Sequence, residues 1–229
     1  MKNIGIIGAM ALEIELLKNK IDINRKENIA GFDFFLGSIE GKNVIITRCG
    51  EGKVNAASCT QILIDRFGVD CIVNTGIAGG LHESVKICDV VISNNVTHHD
   101  VRKAQMESCF PYRDCFQADE RLIEAAVKAC KLYYSEGWNY HIGRIVSGES
   151  FIEDSEIKRN LIRDYSPHCV EMEGSAIGHV AYINNIPFVV IRSISDNADD
   201  EATMSYRTFE TIAANKSAEI VFSMIEMLS

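Results

Sequence analysis

Phe188-Val189-Val190-Ile191-Arg192-Ser193-Ile194-Ser195-Asp196 is the stretch from which the rest of the chain is best read. Its four opening apolar residues, three of them β-branched, predict a short core strand covered on both faces, as in a helix-flanked sheet. The run then turns polar, gathering Arg192, Ser193, Ser195 and Asp196 at its carboxyl end. A structural network among these groups is one reading. A site is the better one, because α/β enzymes present their chemistry on loop-side polar clusters held by a rigid strand.

Outward from this strand, similar apolar runs recur at Ile4–Ile7, Val44–Ile46, Cys71–Val73, Val90–Ile92 and Ile142–Val146. Between them lie helical spacings: Ala56, Cys59, Leu63 and Phe67, then Leu122, Ile123, Ala126, Val127 and Cys130. A third series, Ala214, Ala218, Val221, Ile225 and Leu228, closes the chain. Segments 29–38 and 42–48 are expected to form a hairpin turned at Gly41, which makes the sheet mixed. The prediction is an α/β fold, a single domain over residues 1–229, with a central mixed β-sheet flanked by helices. Glycine-rich turns are expected after several strands, at Gly8, Gly50–Gly52, Gly76–Gly80 and Gly148. Ligand sites of open α/β sheets collect at such strand ends.

The 229 residues are 47% hydrophobic and 24% charged, an ordinary globular balance that needs no disulfide or metal to hold a core. The net charge of −9, with no cluster of Lys and Arg, argues against nucleic acid as a partner. Eight cysteines contain no C-x-x-C pair, and Cys59, Cys71, Cys88 and Cys130 sit among apolar neighbours. They read as small hydrophobes in a reducing compartment. The apolar run Ile4–Ala9 is too short and too soon acidic for a signal peptide, and no stretch is long enough for a membrane span. A cytoplasmic protein is expected.

Five other segments come into question for the chemistry. Gly5-Ile6-Ile7-Gly8-Ala9-Met10 is half of a dinucleotide fingerprint, without its full spacing, and reads as a tight strand-to-helix turn. Glu13 follows, where an acid near a helix start is already favourable electrostatically. Asn74-Thr75-Gly76-Ile77-Ala78-Gly79-Gly80-Leu81 is either a flexible loop or a place where backbone amides approach a ligand closely. In Val170-Glu171-Met172-Glu173-Gly174 the two acids are expected to diverge, so that only one faces a given pocket. His98-His99-Asp100 invites a metal reading, but no third ligand stands at metal spacing. Met204-Ser205-Tyr206 is expected to precede a helix, as packing or as a pocket lid.

Together these segments resemble the nucleoside phosphorylase/nucleosidase superfamily, and within it the methylthioadenosine/S-adenosylhomocysteine nucleosidases. The resemblance runs through Ile4–Met10, Gly50-x-Gly52-Lys53-Val54, Asn74-Thr75-Gly76-x-Ala78-Gly79-Gly80, Ser147-Gly148-x-x-Phe151-Ile152, Glu171-Met172-Glu173 and Ser195-Asp196. Each piece is weak alone; six in order are specific. The resemblance implies a three-layer, nucleoside phosphorylase-like fold that hydrolyses the N-glycosidic bond of an adenine nucleoside. It implies that Asp196 protonates the purine N7, that Glu13 activates water and that Glu173 accepts the ribose hydroxyls. It further implies that Met172 packs beside the sugar, Arg192 orients the water-activating carboxylate and Ser195 steadies Asp196. Phe151 would stack on adenine, Ile152 would bond the base through its backbone, and Tyr206 would lie near the 5′ substituent. Met10 and Gly79 complete the implied substrate lining. No cofactor or metal is implied, and the partners implied are a small nucleoside and a second copy of the chain, in a homodimer.

Three positions depart from the family pattern. Glu51 stands where an apolar residue faces the 5′-thioalkyl group, Ile77 replaces a small serine, and Val101 to Phe116 lacks the usual aromatic and glycine pattern. Glu51 is expected to point away, to pair with Arg48 or Lys53, or to meet a polar 5′ group. The Gly5–Met10 and Gly76–Gly80 stretches contain no Arg or Lys to hold phosphate, so water is the expected nucleophile. The alternatives are a nucleosidase or phosphorylase for adenosine, 5′-deoxyadenosine or a futalosine-type compound, and a non-catalytic nucleoside-binding protein.

Overall fold

The structure is a computed structural model that describes residues 1–133, 137–199 and 201–228. Its strands are β1 (Asn3–Gly8), β2 (Asp22–Ile29), β3 (Phe32–Ile39), β4 (Lys42–Arg48), β5 (Cys71–Gly80), β6 (Val90–His98), β7 (Cys115–Gln117), β8 (Tyr140–Ser147), β9 (Cys169–Glu171) and β10 (Phe188–Asp196). Its helices are α1 (Ala11–Lys20), α2 (Lys53–Phe67), α3 (Lys103–Ser108), α4 (Glu120–Leu132), α5 (Ser155–Tyr165), α6 (Gly174–Ile183) and α7 (Ala202–Met227). Every apolar run named from the sequence lies inside one of these strands.

The sheet is mixed, as expected. β1 lies parallel between β4 and β5, and β3 pairs antiparallel with β4 across Gly41. The sheet also closes on itself, which the apolar pattern does not reveal. β5 pairs with β10, β10 with β6, β6 with β8, β8 with β9, and β9 returns to β5. Helices α1, α4 and α7 pack together over one face, and α2 with α6 over the other, which gives three layers.

Local chemistry explains several boundaries. Asp119 and Asp154 cap α4 and α5 by accepting two backbone N–H groups each. α2 ends at Gly68, which takes a left-handed conformation (φ 58°) that costs glycine little. α7 is pinned to the sheet by Ser217, whose hydroxyl lies 2.8 Å from Thr75 Oγ and donates to the Ile191 carbonyl at 3.1 Å.

Three expectations are corrected here. Gly76–Gly80 is not a turn but the second half of β5, all ten of whose residues are buried, and none of these glycines has a positive φ. Met204-Ser205-Tyr206 does not precede a helix; it lies within the first turns of α7, while Leu228 falls one residue past its end. The hairpin strand predicted from residue 29 is divided: β2 ends at Ile29, and a turn at Ala30-Gly31 leads into β3.

Candidate active site

The carboxyl ends of β1, β5, β9 and β10 open into one cavity of about 380 Å³. Glu13, Glu173 and Asp196 all line it, each 1–3% exposed. Met10, Gly79, Phe151, Met172, Arg192, Ser195 and Tyr206 line it as well. Ile152 lines a contiguous recess of about 30 Å³ that shares Gly79, Phe151, Met172 and Asp196 with the main space. Every candidate residue named from the sequence is therefore at one place.

Glu13 is held where β1 runs into α1. Its Oε2 accepts the N–H groups of Ala9 (2.6 Å) and Met10 (2.9 Å), and its Oε1 accepts that of Ile77 (3.0 Å). It is thus a helix-start acid and a cavity group at once. Burial raises its pKa above the ordinary carboxylate value, against the opposing pull of Arg192 and these amides.

Arg192, fully buried, is the hub. Its Nη2 contacts Glu171, lies 3.3 Å from Glu173 Oε2, and donates to Asn74 Oδ1 at 2.8 Å. Its Nη1 lies 3.6 Å from Glu13 Oε1. The arginine expected to orient Glu13 is therefore bound more closely to two other acids and an asparagine. Glu171 and Glu173 both reach it, so the expectation that they diverge is wrong. Residues two apart on extended backbone share a side, because the side-chain period of a strand is two. Read with that period, Glu171 would have been named as a site residue. It also accepts the Gly174 N–H (2.8 Å) and the Ser147 hydroxyl. Asn74, whose amide donates to the Ile7 carbonyl (2.9 Å), carried no signal beyond its place at the end of an apolar run.

Three buried acids around one buried cation leave an excess of negative charge, which a low-dielectric interior disfavours. Glu173 shows the result: burial foremost, with repulsion from Glu171, pushes its pKa up, while Arg192 and the Gly52 N–H at 2.8 Å oppose the shift. Gly76 makes room for this cluster. A Cβ there would overlap Arg192 Nη1 and Glu13 Oε1. Gly76→Ala is expected to cost about 1–3 kcal/mol, as overpacking does in a rigid core, and an unchanged melting temperature would refute the crowding.

Asp196 sits apart from that cluster, at the end of β10. Ser195 donates to its Oδ2 at 2.9 Å and the Ala198 N–H to its Oδ1 at 2.8 Å. Burial raises its pKa although both bonds oppose it. A register shift against β5 between Ile194 and Asp196 inserts Ser195 as an extra residue. That bulge brings the neighbours Ser195 and Asp196 to the same cavity, where a regular strand would send them to opposite faces. Gly79 lies opposite Asp196, and a Cβ there would come 2.8 Å from Asp196 Oδ1. Phe151 meets Tyr206 edge-to-face at 5.6 Å, and the Tyr206 hydroxyl donates to the Met10 sulfur at 3.2 Å.

Glu51 lines the cavity on its exposed rim, and Lys53 is taken by Asp100 instead. His98 is bound to Ser175 Oγ at 2.7 Å. Among the described residues no group of three His, Cys, Asp or Glu is placed to hold a metal. None of the helices among those residues is long and apolar enough to cross a membrane.

The chain belongs to the phosphorylase superfamily: that family model matches residues 3–226. The chain is 41% identical, over the full length of both sequences, to the 5′-methylthioadenosine/S-adenosylhomocysteine nucleosidase of Halalkalibacterium halodurans. It superposes with a TM-score of 0.93 on the enzyme of that name from Neisseria meningitidis in complex with methylthio-immucillin-A, at 36% identity and complete coverage of both chains. The futalosine hydrolase of Helicobacter pylori is similar at a TM-score of 0.92 and 29% identity, with 99% of this chain and 98% of that one covered. Within the superfamily, the chain is a member of the methylthioadenosine/S-adenosylhomocysteine nucleosidase family.

Proposed function

We propose that the protein hydrolyses 5′-methylthioadenosine and S-adenosylhomocysteine to adenine and the 5′-substituted ribose. The observation that carries this reading is the convergence of Glu13, Glu173 and Asp196 on one cavity. Asp196, whose pKa burial raises, gives its proton to purine N7 as the C1′–N9 bond breaks and its electron pair passes to the base. Glu13 accepts a proton from the water whose oxygen bonds to C1′. Burial makes it a stronger base than an exposed carboxylate. Glu173 accepts the ribose hydroxyls beside Met172, and Phe151 offers its ring to the adenine. The division of labour parallels glycoside hydrolysis, with one carboxyl as acid and another as water activator.

Water rather than phosphate is supported by charge. The buried Arg192 is already engaged by three acids, which leaves it little attraction for an anion. The cytoplasm suits eight free cysteines, seven of them buried or half-buried. A homodimer follows from the family resemblance, and the exposed aromatic side chains of Phe110 and Tyr112 support it.

Adenine release in phosphate-free buffer tests the reaction. Sugar phosphate formed on adding phosphate would mark a phosphorylase, and activity confined to futalosine-type nucleosides would move the substrate. Glu13→Gln is expected to retain substrate affinity and lose about 10²–10⁴-fold in kcat. Unchanged turnover would remove Glu13 from the reaction.

A further inference from the structure

Glu173 opens α6 as its N-cap residue, yet its side chain makes no capping bond to the helix. A helix start leaves four backbone N–H groups without partners inside the helix, and the side chain at this position ordinarily accepts one of them. Glu173 extends into the cavity instead, toward Arg192 and the Gly52 N–H. The capping passes to two other residues. Glu171 Oε2 accepts the N–H groups of Glu173 (3.1 Å) and Gly174 (2.8 Å). Ser147 Oγ, at the end of β8, accepts that of Ser175 (2.7 Å). The Ser147 hydroxyl also donates to Glu171 Oε1, so one buried group both caps the helix and fixes the acid that shares the task.

Ser175 is held a second time, by His98 at the end of β6. His98 bridges two residues one helical turn apart on α6: its Nδ1 lies 2.7 Å from Ser175 Oγ and its Nε2 3.4 Å from His179 Nδ1. Burial foremost, with Lys53 and His179 nearby, pushes the His98 pKa down to about 4. At neutral pH the ring is therefore uncharged, with one donor and one acceptor nitrogen, and a serine hydroxyl can meet either.

We propose that Ser147 is a positioning residue for the ribose-binding acid: by capping α6 in place of Glu173 it leaves that carboxylate free for the sugar hydroxyls, with the Ser175–His98 tie as its second anchor. The inference rests on the nucleosidase reading and deepens it. Without the Ser147 hydroxyl the Ser175 N–H is left open in a dry interior. Ser175 is the second residue of α6, which is where an N-cap side chain reaches. Glu173 is then drawn back onto its own helix and away from the sugar.

Methylthioadenosine and its 2′-deoxy and 3′-deoxy analogues test this, with adenine release measured and the uncatalysed release subtracted. Ser147→Ala is expected to lower kcat/KM for the full nucleoside about three- to ten-fold, the net worth of one hydrogen bond, and by under about two-fold for the analogue lacking the hydroxyl that Glu173 holds. Ser175→Ala keeps the N–H and loses only the tie to His98. It is expected to show the same dependence at smaller size, and it decides the matter if Ser147→Ala does not fold. General damage to the fold lowers all three substrates by one factor. Losses equal across the three, or no loss on the full nucleoside, would overturn the positioning role while leaving the hydrolase intact. Absence of adenine release from all three by the wild type would overturn the hydrolase reading, and this inference with it.

Discussion

Replacing Asp196 by Asn is expected to reduce adenine release by about 10²–10⁴-fold, the usual contribution of a positioned proton donor, with substrate binding largely retained. Asn preserves the shape and a donor N–H, so what is removed is the transferable proton. The pH profile separates this from simple misfit. Asp196 must carry its proton to act, and burial raises its pKa, so wild-type turnover falls as the pH climbs through that raised value. Glu13 must be ionised to accept a proton, so turnover also falls as the pH drops through its own raised value. Asn at position 196 is expected to flatten the alkaline limb and leave the acid limb in place. A loss under ten-fold, or an unaltered alkaline limb, would take Asp196 out of the acid role.

Arg192→Met is expected to destabilise the fold by about 3–5 kcal/mol, because the acids at 13, 171 and 173 lose their shared cation in a dry interior. For a chain of this size that corresponds to roughly 6–20 °C in melting temperature. The pH dependence has a definite sign. Without the guanidinium the folded-state pKa values of Glu13 and Glu173 rise further above their unfolded values. The variant therefore keeps most stability at low pH, where the acids are neutral, and loses it as the pH rises through the raised values. The gap to wild type should widen from mildly acidic to neutral pH in parallel thermal melts. A constant gap would mean that the loss is one of packing, not charge.

The elements that could be read from residues alone are those whose pattern is local. β10 announced itself by an apolar run, and α2 and α4 by three- and four-residue spacing. The nine-residue β10 also held three of the groups that meet in the cavity. What was hidden depends on partners distant in sequence. Closure of the sheet through β9 needs only two residue pairs with β5, Gly79–Val170 and Gly80–Cys169, too short a strand to show a period. The glycines of β5 suggested a turn because glycine usually marks one. Here they mark the passage of Arg192, Glu13 and Asp196 across a strand, a demand visible only when those side chains are in place. Glu171 stands in plain view beside Glu173, and only the two-residue period of a strand shows that both acids face the same cavity. Six motifs in familiar order, by contrast, located the cavity lining without any of this geometry.

The extra residue in β10 makes the site sensitive to counting. Residue spacing from Phe188 to Asp196 fixes which group arrives opposite Gly79. Removing one residue upstream would put a different side chain there and carry the acid away, with composition and hydrophobicity almost unaltered. Length variation among relatives should accordingly be tolerated at the helix-to-strand joint before Phe188 and excluded between there and Asp196. For a designer wishing to change the base that is accepted, substitution within this frame is open, and insertion is not.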